Sequence, residues 1–305
     1  LISQTLKQTN FQEDIYVQIS IKKEPIIPYL FLGPALIGLL VFRIFPIANA
    51  FVSSFCTAGF NGITKWAGFS NYSFLFHDAT FWKSLWVTIK WSLIINPFQI
   101  LSALVLAIFV NRQLKGIGFF RTMYFIPITV SLSVASTIWG LMLNPNSGLV
   151  NAILTQFMIP AQPFLSSPKQ ALWVLMIIAS WRGIGYWMMF LLAGLQGIPV
   201  ELYEAAKIDG AKKSQILRKV TLPLLKRTLA FVTVADTCSN FLLFVPMFVL
   251  TKGGPNLSTN VLIYEAYNNA FIYGDRGISS AIVMVILIVI VMVVGLELRM
   301  LRTDH

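Results

Sequence analysis

The sequence predicts an all-α membrane protein with six transmembrane helices. Three observations predict it. Of the 305 residues, 56% are hydrophobic and only 11% charged, where a soluble domain carries about a quarter charged residues. Apolar runs of roughly 20 residues recur, each long enough to cross a hydrocarbon core. Basic residues dominate the net charge of +11 and crowd on one side of those runs.

The spans fall in order along the chain. Residues 1–27 are mixed and polar, with Lys7, Glu13, Asp14, Lys22, Lys23 and Glu24, and read as an N-terminal tail. A single membrane domain over 28–302 follows, and 303–305 form a short C-terminal tail. The first span runs from about Tyr29 to Cys56 and holds Pro34, Pro46 and Arg43. An external loop from Gly59 to Thr80 carries Trp66, Phe69, Tyr72 and Phe76. The second span, Phe81 to Val110, is interrupted by Asn96 and Pro97. A basic link with Arg112 and Lys115 leads to the third, Phe119 to Leu143, with Pro127. A polar loop, Asn144 to Lys169, precedes the fourth, Ala171 to Leu195, which carries Arg182. The fifth, Leu224 to Leu250, contains Asp236, Ser239 and Asn240. Another polar loop, Lys252 to Gly277, leads to the sixth, Ile278 to Leu298.

Six spans put both ends on one side. With the termini, the 111–121 link, the stretch before the fifth span and the start of that span, that side holds 15 basic residues. The opposite side holds 5, and Arg43, Lys90 and Arg182 lie within spans. The positive-inside rule then places both termini in the cytoplasm. The net charge reflects membrane orientation and gives no reason to expect nucleic acid. Cys56 and Cys238 make no disulfide framework. Two histidines, His77 and His305, offer no metal or catalytic centre. No short apolar segment with a small-residue cleavage site opens the chain, so no cleaved signal peptide is expected.

Charge concentrates between the fourth and fifth spans, in ELYEAAKIDGAKKSQILRKVTLP, Glu201 to Pro223. LYEAAKI consists of good helix formers. Gly210 permits a turn with positive φ, a second helical piece follows, and Pro223 suits the first turn of the next helix. A helix–turn–helix on the inner face of a membrane protein is something a cytoplasmic partner can grip. The chain lacks the GxxxxGK[ST] phosphate loop, so ATP hydrolysis, if it drives this protein, belongs to another subunit.

This stretch resembles the EAA loop of the permease subunits of bacterial ABC importers. Glu204, Ala205, Ala206, Asp209, Gly210, Ala211, Leu222 and Pro223 match it. The wider form, EAAxIDGA followed by TLPLL, is similar to the carbohydrate-uptake branch, the relatives of the maltose and glycerol-phosphate permeases. The chain departs from that pattern in two places. Ser214, Gln215 and Ile216 stand where an aromatic residue is usual, and Lys226 and Arg227 stand where a proline often follows. LTKGGPNLST, Leu250 to Thr259, resembles the LTxGGP segment of sugar permeases. Trp181-Arg182-Gly183, completed by Gly185, matches a W-basic-x-x-G pattern of the same family.

The resemblance implies the ABC importer type I permease fold in a bacterial inner membrane. It implies a second, homologous permease as heterodimer partner, two ATP-binding subunits and an extracytoplasmic solute-binding protein. The substrate would be a small carbohydrate-like molecule. This chain would bind no cofactor, with ATP and Mg in the partner ATPases. Glu204, Ala205, Ala206, Asp209, Gly210, Ala211 and Pro223 would couple to those ATPases as a short helix seated in a groove. Gly253, Gly254 and Pro255 would form a rigid outer turn for binding-protein docking.

Ionisable groups within spans are costly and usually face a polar cavity or a partner charge. Asp236 and Asn240 are four apart and share a helix face. With Arg182, Tyr186 and Ser239 they are the candidates for a substrate path, which in the family lies between the later spans of paired permeases. A structural pairing of Arg182 or Asp236 is the competing reading. The alternative function is a stand-alone secondary transporter of a small polar solute. Such a protein usually shows paired repeats and ion-coupling acids, and the charged cytoplasmic stretch has no task in it. An intramembrane enzyme lacks a catalytic constellation here.

Overall fold

The computed structural model describes residues 27–58, 64–112 and 115–301. The expected tails, 1–27 and 303–305, lie outside them but for Ile27, which is the first residue of a helix. The chain divides into two units between Asn49 and Ala50.

The described residues from Ile27 to Ser53 are helical. α1, Ile27–Leu39, runs through a π-helical turn, Leu40–Ile44, into α2, Phe45–Ser53. Arg43 sits in that π turn. Pro34 lies inside α1, and Pro46 is the second residue of α2.

In the second unit the expected external loop carries secondary structure. β1, Cys56–Ala58, pairs antiparallel with β2, Thr64–Trp66, in the register Cys56↔Trp66. The first span therefore ends as helix at Ser53, before Cys56. α3, Ser70–His77, follows. α4, Ala79–Val110, is the longest helix. Asp78 caps its start by accepting from the backbone N–H groups of Thr80 at 3.0 Å and Phe81 at 3.1 Å, which satisfies donors that an α-helix leaves open. Pro97 is accommodated inside it.

The third span is not one straight helix. α5, Ile117–Thr129, and α6, Leu132–Met142, meet at 96°. Val130 is extended and separates them, three residues after Pro127, whose ring removes a helix hydrogen bond. Arg121 of α5 donates from Nη2 to the Val110 carbonyl at 2.8 Å and so caps the end of α4. α7, Leu149–Gln156, lies in the next loop, and α8, Ala171–Gln196, is the fourth span.

α9, Val200–Ile208, and α10, Lys213–Ile216, precede a π turn, Leu217–Thr221, that runs directly into α11, Leu222–Phe241. Pro223 stands in the first turn of α11, immediately after the π turn. The expected fifth span to Leu250 is shorter: α11 ends at Phe241. Leu242 to Phe244 leave the helix, and helix resumes at Val245 with Pro246 in its first turn, where a proline's missing N–H costs no helix hydrogen bond. A π turn, Met247–Thr251, completes the segment. The polar loop to Gly277 contains α12, Leu262–Tyr267, extended by a π turn, Asn268–Ile272. α13, Arg276–Leu301, is the last helix.

Among the described residues four helices are long and apolar enough to cross a membrane, and the bent α5–α6 pair makes a fifth. α11 is a further long helix, but Lys226, Arg227 and Asp236 make it too polar to qualify by composition. The six expected spans are compatible with this count.

The first core cluster forms where α4, α8 and α11 meet. Ala103 and Ala107 on α4 let Met188, Leu191 and Leu195 of α8 and Leu225 and Val232 of α11 approach closely. Small residues do this work where no water drives helices together. A second cluster packs Trp91 and Ile95 of α4 on Leu175 and Met176 of α8 and on Met247 and Tyr264. A third joins Leu75, Phe81, Leu262, Ala281 and Ile282. Between the first two, on α4, the buried face turns polar.

Candidate functional site

That polar band holds a connected network. Asn96 donates to Ser92 Oγ at 2.8 Å and to Thr237 Oγ1 at 2.9 Å. Asn240 donates to Asn96 Oδ1 at 2.8 Å, Gln99 Oε1 at 3.2 Å and Asp236 Oδ1 at 3.0 Å. Gln99 donates to Ser180 Oγ at 3.4 Å, and Thr237 to Glu297 Oε1 at 2.7 Å. The network ties α4, α8, α11 and α13 together. Its members are dear to bury and are tolerable because most of their polar atoms are paired.

A cavity of about 330 Å³ opens beside this network. Arg182 and Tyr186 line it from α8, and Asp236, Ser239 and Asn240 from α11. All five residues expected on a substrate path thus share one cavity. Ile128 and Leu132, on either side of the α5–α6 bend, form another wall. Two of its groups are unsatisfied: Arg182 Nε and Asp236 Oδ2 are buried without a hydrogen bond. Among the described residues Arg182 and Asp236 form no ion pair with each other, and Asp236 is paired within the bundle through Asn240. Tyr186 stacks edge-on against Trp187 at 4.7 Å between ring centroids and against Phe190 at 5.0 Å. Ser239 Oγ donates back to the Ala235 carbonyl.

The glycines of the W-basic-x-x-G pattern fix the wall. A Cβ on Gly185 would overlap the Tyr124 carbonyl, so Gly185 is what lets α5 pass against α8. A Cβ on Gly183 would sit 2.9 Å from the Gln99 side chain.

The charged stretch is presented outward. In α9, Glu204, Ala205, Lys207 and Ile208 are exposed, whereas Tyr203 and Ala206 are half-buried. Tyr203 packs on the apolar cluster at the ends of α4 and α8. Gly210 has φ +73° and ends α9 with a paired turn. Its N–H donates to the Lys207 carbonyl at 3.0 Å, and the Ala211 N–H to the Ala206 carbonyl at 3.0 Å. These two bonds are a Schellman cap, for which a left-handed residue is required. Asp209 is exposed at the helix end. Gln215, one of the departures from the family pattern, accepts from the Lys212 N–H at 2.7 Å and caps the start of α10.

Gly253, Gly254 and Pro255 do form a tight turn, but it is not the open surface expected. Gly253 is buried, with φ +77°, and a Cβ there would sit 2.9 Å from the Tyr264 ring. Thr259 Oγ1 donates to the Gly254 carbonyl at 2.8 Å and pairs with Thr251 Oγ1 at 2.7 Å. Gly254 and Pro255 are half-buried, while Lys252 and Asn256 are exposed.

Sequence reasoning passed over Gln99, Ser180, Thr237 and Glu297. Gln99 had a signal, a second amide three residues after Asn96 in an apolar run. Thr237 stands next to Asp236. Glu297 is a lone acid in the last span. Neither Ser180 nor the pairing itself carries a sequence mark, because the partners come from different helices.

The fold is that of a transport permease. It matches a crystal structure of a bacterial ABC transporter involved in the import of the acidic polysaccharide alginate. The TM-score is 0.80, over 90% of this chain and 94% of that one, at 22% identity. The chain belongs to the family of binding-protein-dependent transport system inner membrane components, whose model matches residues 97–301. The probable ABC transporter permease protein YurN of Bacillus subtilis is 33% identical, over 93% of this chain and 98% of that one. The sn-glycerol-3-phosphate transport system permease protein UgpA of Agrobacterium fabrum is 33% identical, over 90% and 94%. The trehalose/maltose transport system permease protein MalF of Thermococcus litoralis is 33% identical, over 92% and 96%. The chain is thus an all-α ABC importer permease of type I fold, a non-catalytic membrane component.

Proposed function

We propose that this chain is half of the translocation path of an ATP-driven importer for a sugar or sugar-like solute. The observation that carries this reading is the cavity lined by Arg182 and Asp236, each of which keeps one buried polar atom without a hydrogen bond. A charge kept unsatisfied at that depth has a use there. Polyhydroxylated solutes suit such a wall, since hydroxyls take hydrogen bonds from Arg182, Ser239 and Asn240 while Tyr186 offers an apolar face. The relatives' names, which cover trehalose/maltose and sn-glycerol-3-phosphate, support the substrate class.

The second permease completes the path as a heterodimer. α9, with Glu204, Ala205, Ala206 and Asp209 and the Gly210–Ala211 turn, seats in a cytoplasmic ATPase, and Pro223 starts the helix that carries the motion to Asp236. Two such ATPases hold ATP and Mg. Their closure rocks the helices as rigid bodies. An extracytoplasmic binding protein delivers solute at the outer loops, where the turn of Gly253, Gly254 and Pro255 braces the exposed Lys252 and Asn256. The termini and α9 face the cytoplasm. A related alginate transporter was solved in complex with its oligosaccharide-bound periplasmic protein.

Reconstitution tests this. The chain with its co-purifying permease and ATPases should take up solute into vesicles only with ATP and the binding protein. Uptake by the lone chain without nucleotide would overturn the reading.

A further inference from the structure

A second cavity lies away from the path, at the ends of α4 and α8 beneath α9. It is a groove of about 580 Å³. Three cations from three separate elements line it: Arg112 just beyond α4, Lys207 of α9 and Lys213 of α10. Among the described residues no acidic side chain lines it. Among the described residues none of the three cations is in an ion pair. Arg112 has only the Phe109 ring, 5.7 Å from its guanidinium carbon. The floor is apolar, built from Ile108, Leu195 and Leu217. Tyr203 lines it as well; its hydroxyl accepts from Thr221 Oγ1 at 3.3 Å, which leaves its own proton free to donate.

We infer that this groove binds the phosphate headgroup of an anionic phospholipid, with acyl chain along its apolar floor. Positive charge on this side of the membrane is general, but charge alone does not build a cavity. Here three converging cations sit over an apolar floor at the ends of two spans, which is the two-part chemistry of a lipid. A free phosphate shares the headgroup chemistry and has no use for the floor. Because α9 and α10 supply two of the cations, a bound lipid would link the charged helix to the membrane and hold it in register with α4. The inference goes beyond the proposed transport function and does not depend on which solute is carried.

The test uses the full chain purified with its co-purifying subunits in neutral detergent, followed by native mass spectrometry with added lipid. Phosphatidylglycerol is expected to be retained well above phosphatidylcholine. Each cation replaced by glutamine should weaken retention about fivefold, the weight of one cation near an anionic surface. R112Q alone provides a mild variant should the triple R112Q/K207Q/K213Q fail to assemble. K83Q, at a lysine remote from the groove, should change nothing. Equal retention by wild type and R112Q would overturn the inference. So would displacement of the lipid by millimolar inorganic phosphate, which would assign the groove to a soluble phosphate.

Discussion

The Asn240 side-chain amide lies 3.0 Å from Asp236 Oδ1, one helical turn away, and also reaches Asn96 and Gln99 on α4. A carboxamide has two hydrogens, so three acceptors share them. Asn240 is therefore one of the joints between α4 and α11, beside the Asn96–Thr237 bond, and it holds one oxygen of Asp236 while the other is buried without a hydrogen bond.

Replacing Asn240 with leucine removes that joint and strands buried acceptors. A stranded buried acceptor costs about 1–3 kcal/mol. N240L is expected to melt well below wild type in detergent and to transport poorly. A melting temperature unchanged from wild type would show that Asn240 contributes nothing to holding α4 against α11.

Arg182 should behave in the opposite way. It has no partner within the described chain to lose, so R182Q is expected to keep the melting temperature close to wild type, a change within about 0.5 kcal/mol. Uptake should fall at least about tenfold, the weight of one charge-assisted hydrogen bond to solute. D236N, close in volume, should also lower uptake. Normal uptake with a lowered melting point in R182Q would make the residue structural and remove it from the path.

Two glycines on α8 separate backbone from side-chain constraint. At Gly185 an added Cβ meets the Tyr124 carbonyl, which belongs to a helix and cannot swing away. G185A is expected to cost about 1–3 kcal/mol, as for other overpacked cores, and to push α5 from α8. At Gly183 the neighbour is the end of the Gln99 side chain, which can turn. G183A should therefore be the milder of the two in thermal unfolding. The reverse order would contradict the close α5–α8 passage.

How far the sequence could be read depends on where each constraint lies. The apolar runs at Ala79–Val110, Ala171–Gln196 and Arg276–Leu301 fix helices because length and composition are local properties. The breaks were harder. Pro127 was visible, but the turn falls three residues later at Val130. Asp236 and Asn240 were legible as a shared face, since four residues make one turn. Their placement opposite Arg182 was not, because it depends on how α8 and α11 pack. The LTKGGP turn reads as an outer turn in the sequence, and in the structure the Tyr264 ring lies against its buried Gly253. A glycine-rich turn looks the same in sequence whether solvent or a ring lies over it.

Gly210 gives the sharpest test of the coupling role proposed for α9. Its φ of +73° suits glycine, but nothing lies within 4 Å of where a Cβ would sit. G210A therefore meets only the local cost of the left-handed conformation, about 1–2 kcal/mol, and should keep assembly with modestly reduced uptake. Proline fixes φ near −65° and lacks the N–H that closes the turn on Lys207. G210P is expected to abolish uptake, either with ATP hydrolysis continuing in the co-purified subunits or with those subunits lost. Measuring uptake and ATP hydrolysis on the same preparation separates these two outcomes. Wild-type uptake in G210P would mean that the turn after α9 does not transmit force, and the coupling role assigned to Glu204, Ala205, Ala206 and Asp209 would fall with it.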